Sequence, residues 1–299
     1  MMKILAVLRF IERRALLTTA FLVAIFGAPL SAGATEYQRV LAIGGAVTEI
    51  VYALGEQDRL VGRDSTSRFP PEAIDLPDVG YIRRLSPEGV LSVEPDLILA
   101  RENNGPPEAV EVLKSAGVKW VDIPDNFTPE GVDENVRLVA EALGVTEKGD
   151  ELRERIAAQL SAVKETIDGV SDPKRAMFIL SMRNDRVMAS GTGTAANGII
   201  ELAGAENVLS DFEGYKQLAD EAVVTAAPEV IIMMAGRGGS SGHAAANAQL
   251  ESHPALSLTP AVQNGDIVRM DGLLMLGFGP RTAEAALELA SRIYKNELN

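Results

Sequence analysis

The chain has 299 residues, with 28 basic side chains against 42 acidic ones, a net charge of −14, two histidines and no cysteine. That balance disfavours nucleic acid or an anionic membrane surface as a partner. Without a thiol there is no disulfide, no thiolate metal site and no thioether-linked cofactor.

The first stretch reads as an export signal. Lys3, Arg9, Arg13 and Arg14 make a basic start, Ala15–Ala28 an apolar run, Pro29-Leu30-Ser31 a break, and Ala32-Gly33-Ala34 a small-residue cleavage site. The expected cut follows Ala34. A membrane anchor is the competing reading, but the run is short of the about 20 residues that a span requires. Without residues 1–34, 24 basic and 41 acidic residues remain, a net charge of −17. No cysteine follows the signal to carry a lipid, so the expected destination is a bacterial-type periplasm, or secretion, as a free protein, and a monomer is expected. About 265 residues is long for one core and comfortable for two lobes.

Arg39–Ile43 is a short apolar strand stopped by Gly44-Gly45, and Thr48 is placed to cap a helix over Glu49–Leu54. Leu60–Arg63 is a second strand. A loop with Pro70, Pro71 and Pro77 then delivers the chain to Tyr81. Ser86-Pro87 is a cap and first-turn pair for a helix through Val93. Strand Asp96–Ala100, helix Pro107–Ala116, strand Lys119–Ile123 and a helix from Pro129 to Leu143 follow. This alternation argues for an α/β fold of parallel βα units.

Leu152, Ile156, Leu160, Val163 and Ile167 then form one stripe within Thr146–Ile167. A helix of about 20 residues spans about 30 Å, enough to join two lobes. The expected division is residues 35–145 as the first lobe, 146–169 as the linking helix and 170–299 as the second lobe. Beyond it the pattern resumes: strands Ala176–Leu180 and Val187–Ala189, helix Ala195–Ala203, strands Val230–Met234 and Asp266–Met270, and a last helix Thr282–Tyr294.

An internal repeat supports two lobes. Leu85–Leu99 (LSPEGVLSVEPDLIL) matches Leu218–Ile232 (LADEAVVTAAPEVII) without a gap. In each, a glutamate (Glu88, Glu221) opens a short helix, a proline ends it, an acid follows, and an apolar strand begins.

These two stretches and Arg39–Gly55 (RVLAIGGAVTEIVYALG) resemble the periplasmic substrate-binding proteins of ABC importers for iron–siderophores, cobalamin and haem. The resemblance runs from Arg39 to Tyr294. It implies two Rossmann-like lobes with parallel-rich sheets joined by one rigid helix, the class III arrangement. GYIRRLS around Tyr81, Met188–Ile200 (MASGTGTAANGII) and Leu273–Thr282 (LLMLGFGPRT) look like the haem (hemin), HmuT-type branch. The implied cargo is ferric haem, and the implied partner an ABC permease in the inner membrane.

The resemblance makes Tyr81 the axial ligand of the haem iron and Arg83 its support. A phenolate suits a hard ferric ion, and tyrosine ligation has precedent. Free tyrosine has a pKa of about 10, so a nearby cation helps displace the proton. Some family members add a histidine just after the second lobe's first strand. Here that place is Ser181-Met182-Arg183-Asn184, and Met182 is a soft partner for ferric iron; five-coordinate binding through Tyr81 is the expectation. His243 and Arg237 lie in a Gly/Ser-rich loop after Val230–Met234, where ligand crevices form. His243 is a candidate distal ligand and Arg237 a candidate partner for a propionate. Leu274, Met275 and Phe278 are candidates to face the porphyrin, or equally to pack in the core. His253 is expected to be exposed. Glu88 and Glu221 match the glutamates that dock on permease arginines in the wider family, and each also favours its own helix dipole.

An enzyme finds little support: there is no GxSxG, no Walker lysine, and Gly191-Thr192-Gly193-Thr194 lacks the spacing of a phosphate loop. Two distant histidines make a poor zinc carrier. A siderophore or cobalamin carrier is the serious alternative.

Overall fold

The computed structural model describes residues 37–235 and 247–295. The expected signal over residues 1–34, Arg237 and His243 all lie outside the described residues. Four strands build a first sheet: β1 (Val40–Ile43), β2 (Leu60–Arg63), β3 (Leu97–Arg101) and β4 (Lys119–Ile123), in the order β2-β1-β3-β4. Every neighbouring pair is parallel. The helices between them are α1 (Gly45–Ala53), α2 (Pro87–Leu91), α3 (Pro107–Ser115) and α4 (Pro129–Leu143). Ser86 and Thr128 cap α2 and α4 by accepting from Gly89 N and Gly131 N, each at 3.1 Å.

The helix α1 begins earlier than its sequence suggests. Thr48 is not its cap; the helix starts at Gly45, with Gly44 at φ 109° as its first flanking residue. Thr48 is fully buried inside the helix and donates to the Ser67 hydroxyl at 2.8 Å. The glycines that look like a break are there for close approach. A Cβ on Gly45 would lie 2.4 Å from the Leu273 side chain.

The helix α5 (Thr146–Ile167) leads to a second, mixed sheet: β5 (Arg175–Arg183), β6 (Arg186–Ser190), β7 (Glu206–Asn207), β8 (Tyr215–Leu218), β9 (Val230–Met234) and β10 (Ile267–Met270). Its order is β10-β9-β5-β6-β8, with β7 paired to β5. The β10–β9 and β9–β5 pairs are parallel, whereas β5–β6 and β6–β8 are antiparallel. The expectation of parallel units throughout is corrected here. Asn184 and Asp185, at φ 50° and 56°, make a two-residue turn between the paired residues Arg183 and Arg186. Asn and Asp tolerate this left-handed geometry, which matches the twist of a tight hairpin.

Side chains alternate across each sheet and sort the core into layers. Val40, Ala42, Leu97 and Leu99 of the first sheet, and Ala176, Phe178, Val230 and Ile232 of the second, share one apolar cluster. Leu41, Ile43, Ile98 and Ala100 face α2 and α3 in an outer cluster, and Met177, Ile179 and Ile231 face a matching outer cluster. The shared cluster includes Leu152, Ile156 and Val163 of α5, so the long helix is a beam buried along one stripe against the core that both sheets share. It packs on α4 on one side and on the last helix, Thr282–Tyr294, on the other. Among the described residues, no helix is long and apolar enough to cross a membrane.

The internal repeat is built twice in space. Asp96 accepts from the amide of Arg39 at 3.0 Å, and Glu229 accepts from that of Arg175 at 3.0 Å. Each arginine then reaches the end of the repeated helix: Arg39 donates to Val93 O at 2.6 Å and Arg175 to Ala226 O at 2.7 Å. Val93 and Ala226 are matched positions, as are Glu94 and Ala227, which share a positive φ of 46° and 41°. The same joint of helix, left-handed residue, proline and acid turns the chain into β3 and into β9.

His253 is another correction, being 2% exposed. Its Nδ1 accepts from Ala255 N and Leu256 N at 3.2 and 3.3 Å, which leaves Nε2 to donate to Asp185 O at 3.0 Å. The ring thus ties the hairpin tip to the segment that opens the turn Leu256–Leu258. His253→Ala leaves buried amides without an acceptor, at about 1–3 kcal/mol for each group left unpaired. Urea denaturation should show a loss of about 2–3 kcal/mol, whereas an unchanged midpoint would mean that the ring is not what holds the hairpin.

Candidate functional site

In an open α/β sheet, ligands sit outside the carboxyl ends of the strands. At that end of the first sheet lies Asp64, fully buried just after β2. One of its oxygens accepts from Gly44 N (2.8 Å) and the Ser67 hydroxyl (2.7 Å), the other from Thr66 N (2.9 Å) and the Thr66 hydroxyl (2.6 Å). This carboxylate joins the ends of β1 and β2. Arg63, 7% exposed, fans its donors to Ala73 O, Ile74 O, Asp64 O and Asp78, and so folds the proline-rich loop against the sheet edge.

The result is a fixed platform for Tyr81. Ser65 N donates to Gly80 O at 2.8 Å, and Gly80 takes φ 107° to turn the chain outward. On the far side, Arg84 N donates to Tyr81 O at 2.7 Å, while Gly105 N and Gly105 O pin Ile82 and Leu85. Tyr81 itself is 44% exposed, a large aromatic ring presented to solvent by a stapled backbone.

Arg83 is exposed, in the turn Ile82–Arg84, and its charge acts on Tyr215, at the start of β8 in the second lobe. Burial pushes the Tyr215 phenol up, while the hydroxyls of Ser190 and Thr194, and then Arg83, pull it down. The two lobes thus offer one half-exposed tyrosine each, with a guanidinium from the first lobe acting on the tyrosine of the second.

Below them the lobes are closely joined. Arg281, just before the last helix, clamps both oxygens of Glu49 at 2.9 and 2.8 Å and lies 3.5 Å from the centre of the Phe69 ring. Burial pushes the Glu49 carboxyl up, and the arginine pulls it back. Arg101, at the end of β3, donates to the Asp125 carboxylate and, across the junction, to Gly277 O. Its guanidinium lies 5.4 Å from the centre of Phe127, which meets Phe278 edge-on at 5.4 Å.

Of the two alternatives for Leu273–Thr282, that arrangement gives Met275 and Phe278 to the core. Asp271 caps a short helix, Gly272–Leu276, by accepting from Leu274 N at 2.9 Å. One side of that helix turns inward, so Met275 and Phe278 are core residues at 0% and 1% exposure, and Leu274 packs half-buried on the same cluster. Met182 lies in β5 opposite Val187 and packs on the outer cluster of the second sheet. Ser181 and Arg183 belong to the same strand, so this segment is hairpin rather than crevice loop.

A profile described as periplasmic binding protein matches residues 40–273. The chain belongs to the periplasmic binding protein family. The binding protein superposes with a TM-score of 0.80 and 36% identity on the periplasmic heme-binding protein BhuT in complex with two hemes, covering 87% of this chain and 98% of that one. In sequence it is 29% identical over 262 residues to an uncharacterized ABC transporter substrate-binding lipoprotein, YvrC of Bacillus subtilis, which covers 87% of this chain and 81% of YvrC. It is 26% identical over 257 residues to the vitamin B12-binding protein of Pectobacterium carotovorum, covering 86% of this chain and 88% of that protein. Members of the family are substrate-binding transport proteins rather than enzymes, and those of ABC importers work with an inner-membrane permease.

In this binding protein Glu88 and Glu221 are both exposed in the first turn of their helices. Each helix runs back against the strands it joins, so both glutamates stand at the crevice end of the molecule. Sequence reasoning did not single out Asp64, Arg101, Glu49 or Tyr215. Only Asp64 carried a local signal, the hydroxyl run Ser65-Thr66-Ser67 behind an Asp. The partners of the others are remote in sequence.

Proposed function

We propose that this protein carries ferric haem, held by the phenolate of Tyr81, to the permease of an ABC importer. The observation that carries the reading is the Tyr81 ring, 44% exposed on a backbone hydrogen-bonded from both sides, with Arg83 two residues on. A phenol presented on a held backbone suits a hard ferric centre, and Arg83 is placed in the same turn as a cation beside the crevice. The 36% identity to a heme-binding protein, against 26% to a vitamin B12-binding one, supports the same cargo. The chain then divides into an export signal over residues 1–34, lobes over 35–145 and 170–299, and a linking helix over 146–169. Delivery follows when Glu88 and Glu221 meet basic groups of the permease, one per lobe.

Hemin titrated into the purified protein is expected to bind tightly and produce the charge-transfer absorption of tyrosinate on high-spin ferric haem. A cobalamin carrier is the second reading, favoured by the vitamin B12-binding relatives. Saturation by cyanocobalamin with no response to hemin would replace the first reading by the second.

A further inference from the structure

The crevice floor holds a cation to which the phenolate reading gives no task. Arg101 ends β3, a central strand of the first sheet, and is 9% exposed. Its Nε edge is neutralised by Asp125, and Nη1 donates to the carbonyl of Gly277 from the other lobe. Nη2 is enclosed and has no acceptor among the described residues; nor has Asn104 Oδ1, three residues along. An enclosed guanidinium N–H without an acceptor is costly, and a native fold that keeps one calls for an explanation. The Nη1–Nη2 edge is a flat pair of donors, the geometry that a carboxylate matches with two parallel bonds.

We propose that Arg101 reads the carboxylate edge of the cargo: on binding, its Nη edge exchanges the neutral Gly277 carbonyl for a ligand carboxylate. The inference rests on the haem reading, because haem carries two propionates on one edge of an otherwise apolar ring. A charged acceptor outbids a peptide carbonyl for a guanidinium. It also satisfies the idle Nη2. The exchange releases one of the ties between the lobes, since Gly277 belongs to the segment that also carries Arg281. Arg101 is therefore a specificity residue that selects carboxylated porphyrins and couples their arrival to the lobe junction. A purely structural tie between Asp125 and Gly277 is the competing explanation.

The test titrates hemin and hemin dimethyl ester, which share ring and iron but differ in charge on that edge, into wild type, Arg101→Gln and Arg101→Lys. Wild type should prefer hemin by about tenfold or more, in line with one charge-assisted bond. Arg101→Gln should erase the preference by weakening hemin alone, and Arg101→Lys should restore part of it. Equal weakening of both ligands in Arg101→Gln, or no preference in wild type, overturns the inference while leaving haem as cargo. Failure of wild type to bind either ligand overturns the haem reading, and this one with it. Should Arg101→Gln fail to fold, Arg101→Lys decides: a full wild-type preference or none at all against reduced affinity for both ligands counts against the role.

Discussion

Tyr81→Phe is expected to weaken hemin binding by more than about a hundredfold and to abolish the tyrosinate charge-transfer band. Changes that only reorient a metal ligand cost about 10–100-fold, and this one removes the donor atom itself. The fold should tolerate the change. The ring is 44% exposed, and the bonds that shape its loop run through the backbone atoms of Gly80, Tyr81, Ile82 and Leu85. The melting temperature should therefore stay close to wild type while the titration changes. Arg83 remains in place, so any residual affinity reports ring burial and the propionate contacts alone. An unaltered titration and spectrum in Tyr81→Phe would remove the phenol from the site, and with it the main support for a ferric cargo.

Reversing the charge at both Glu88 and Glu221 is expected to stop haem uptake in cells while leaving hemin titration of the purified protein intact. Both side chains are exposed and occupy matched points of the repeat, at the crevice end of each lobe. A permease that bridges the crevice therefore meets two like charges held apart by the shared core between the sheets. Reversal converts two attractions into two repulsions, and the loss appears in association with the membrane complex. The cost to folding is small: each glutamate favours its helix N-terminus by about 0.3–1 kcal/mol. Wild-type uptake by the doubly reversed protein would show that the glutamates serve only their helices.

The legible parts of this molecule are those whose cause is local. Val230–Met234 reads correctly because a parallel strand inside the sheet is an uninterrupted apolar run, while the edge strands Leu60–Arg63 and Lys119–Ile123 show as short apolar stretches carrying a charge. Helix Pro129–Leu143 starts where Thr128 and Pro129 say it should, and Thr146–Ile167 follows its stripe from end to end. The misreadings share a different cause. The glycines at 44 and 45 look like punctuation until Arg101 closes on the first and Leu273, from the other lobe, on the second. His253 looks like a surface residue until Asp185, 68 residues earlier, supplies an acceptor. Asn184-Asp185 did carry a turn signal, and strand–helix alternation elsewhere masked it.

By itself, then, the amino-acid sequence determined the βα units, the long beam, the duplicated joint and the tyrosine on its loop, because hydrophobic period, capping and turn chemistry act over a few residues. The sheet pairing in the second lobe, the burial of Met275 and Phe278, and the clamps of Arg101 and Arg281 across the junction were decided only in three dimensions. Each depends on groups from distant parts of the chain meeting in a low-dielectric interior, where an unpaired charge or amide is penalised, and no short window of residues encodes who that partner will be.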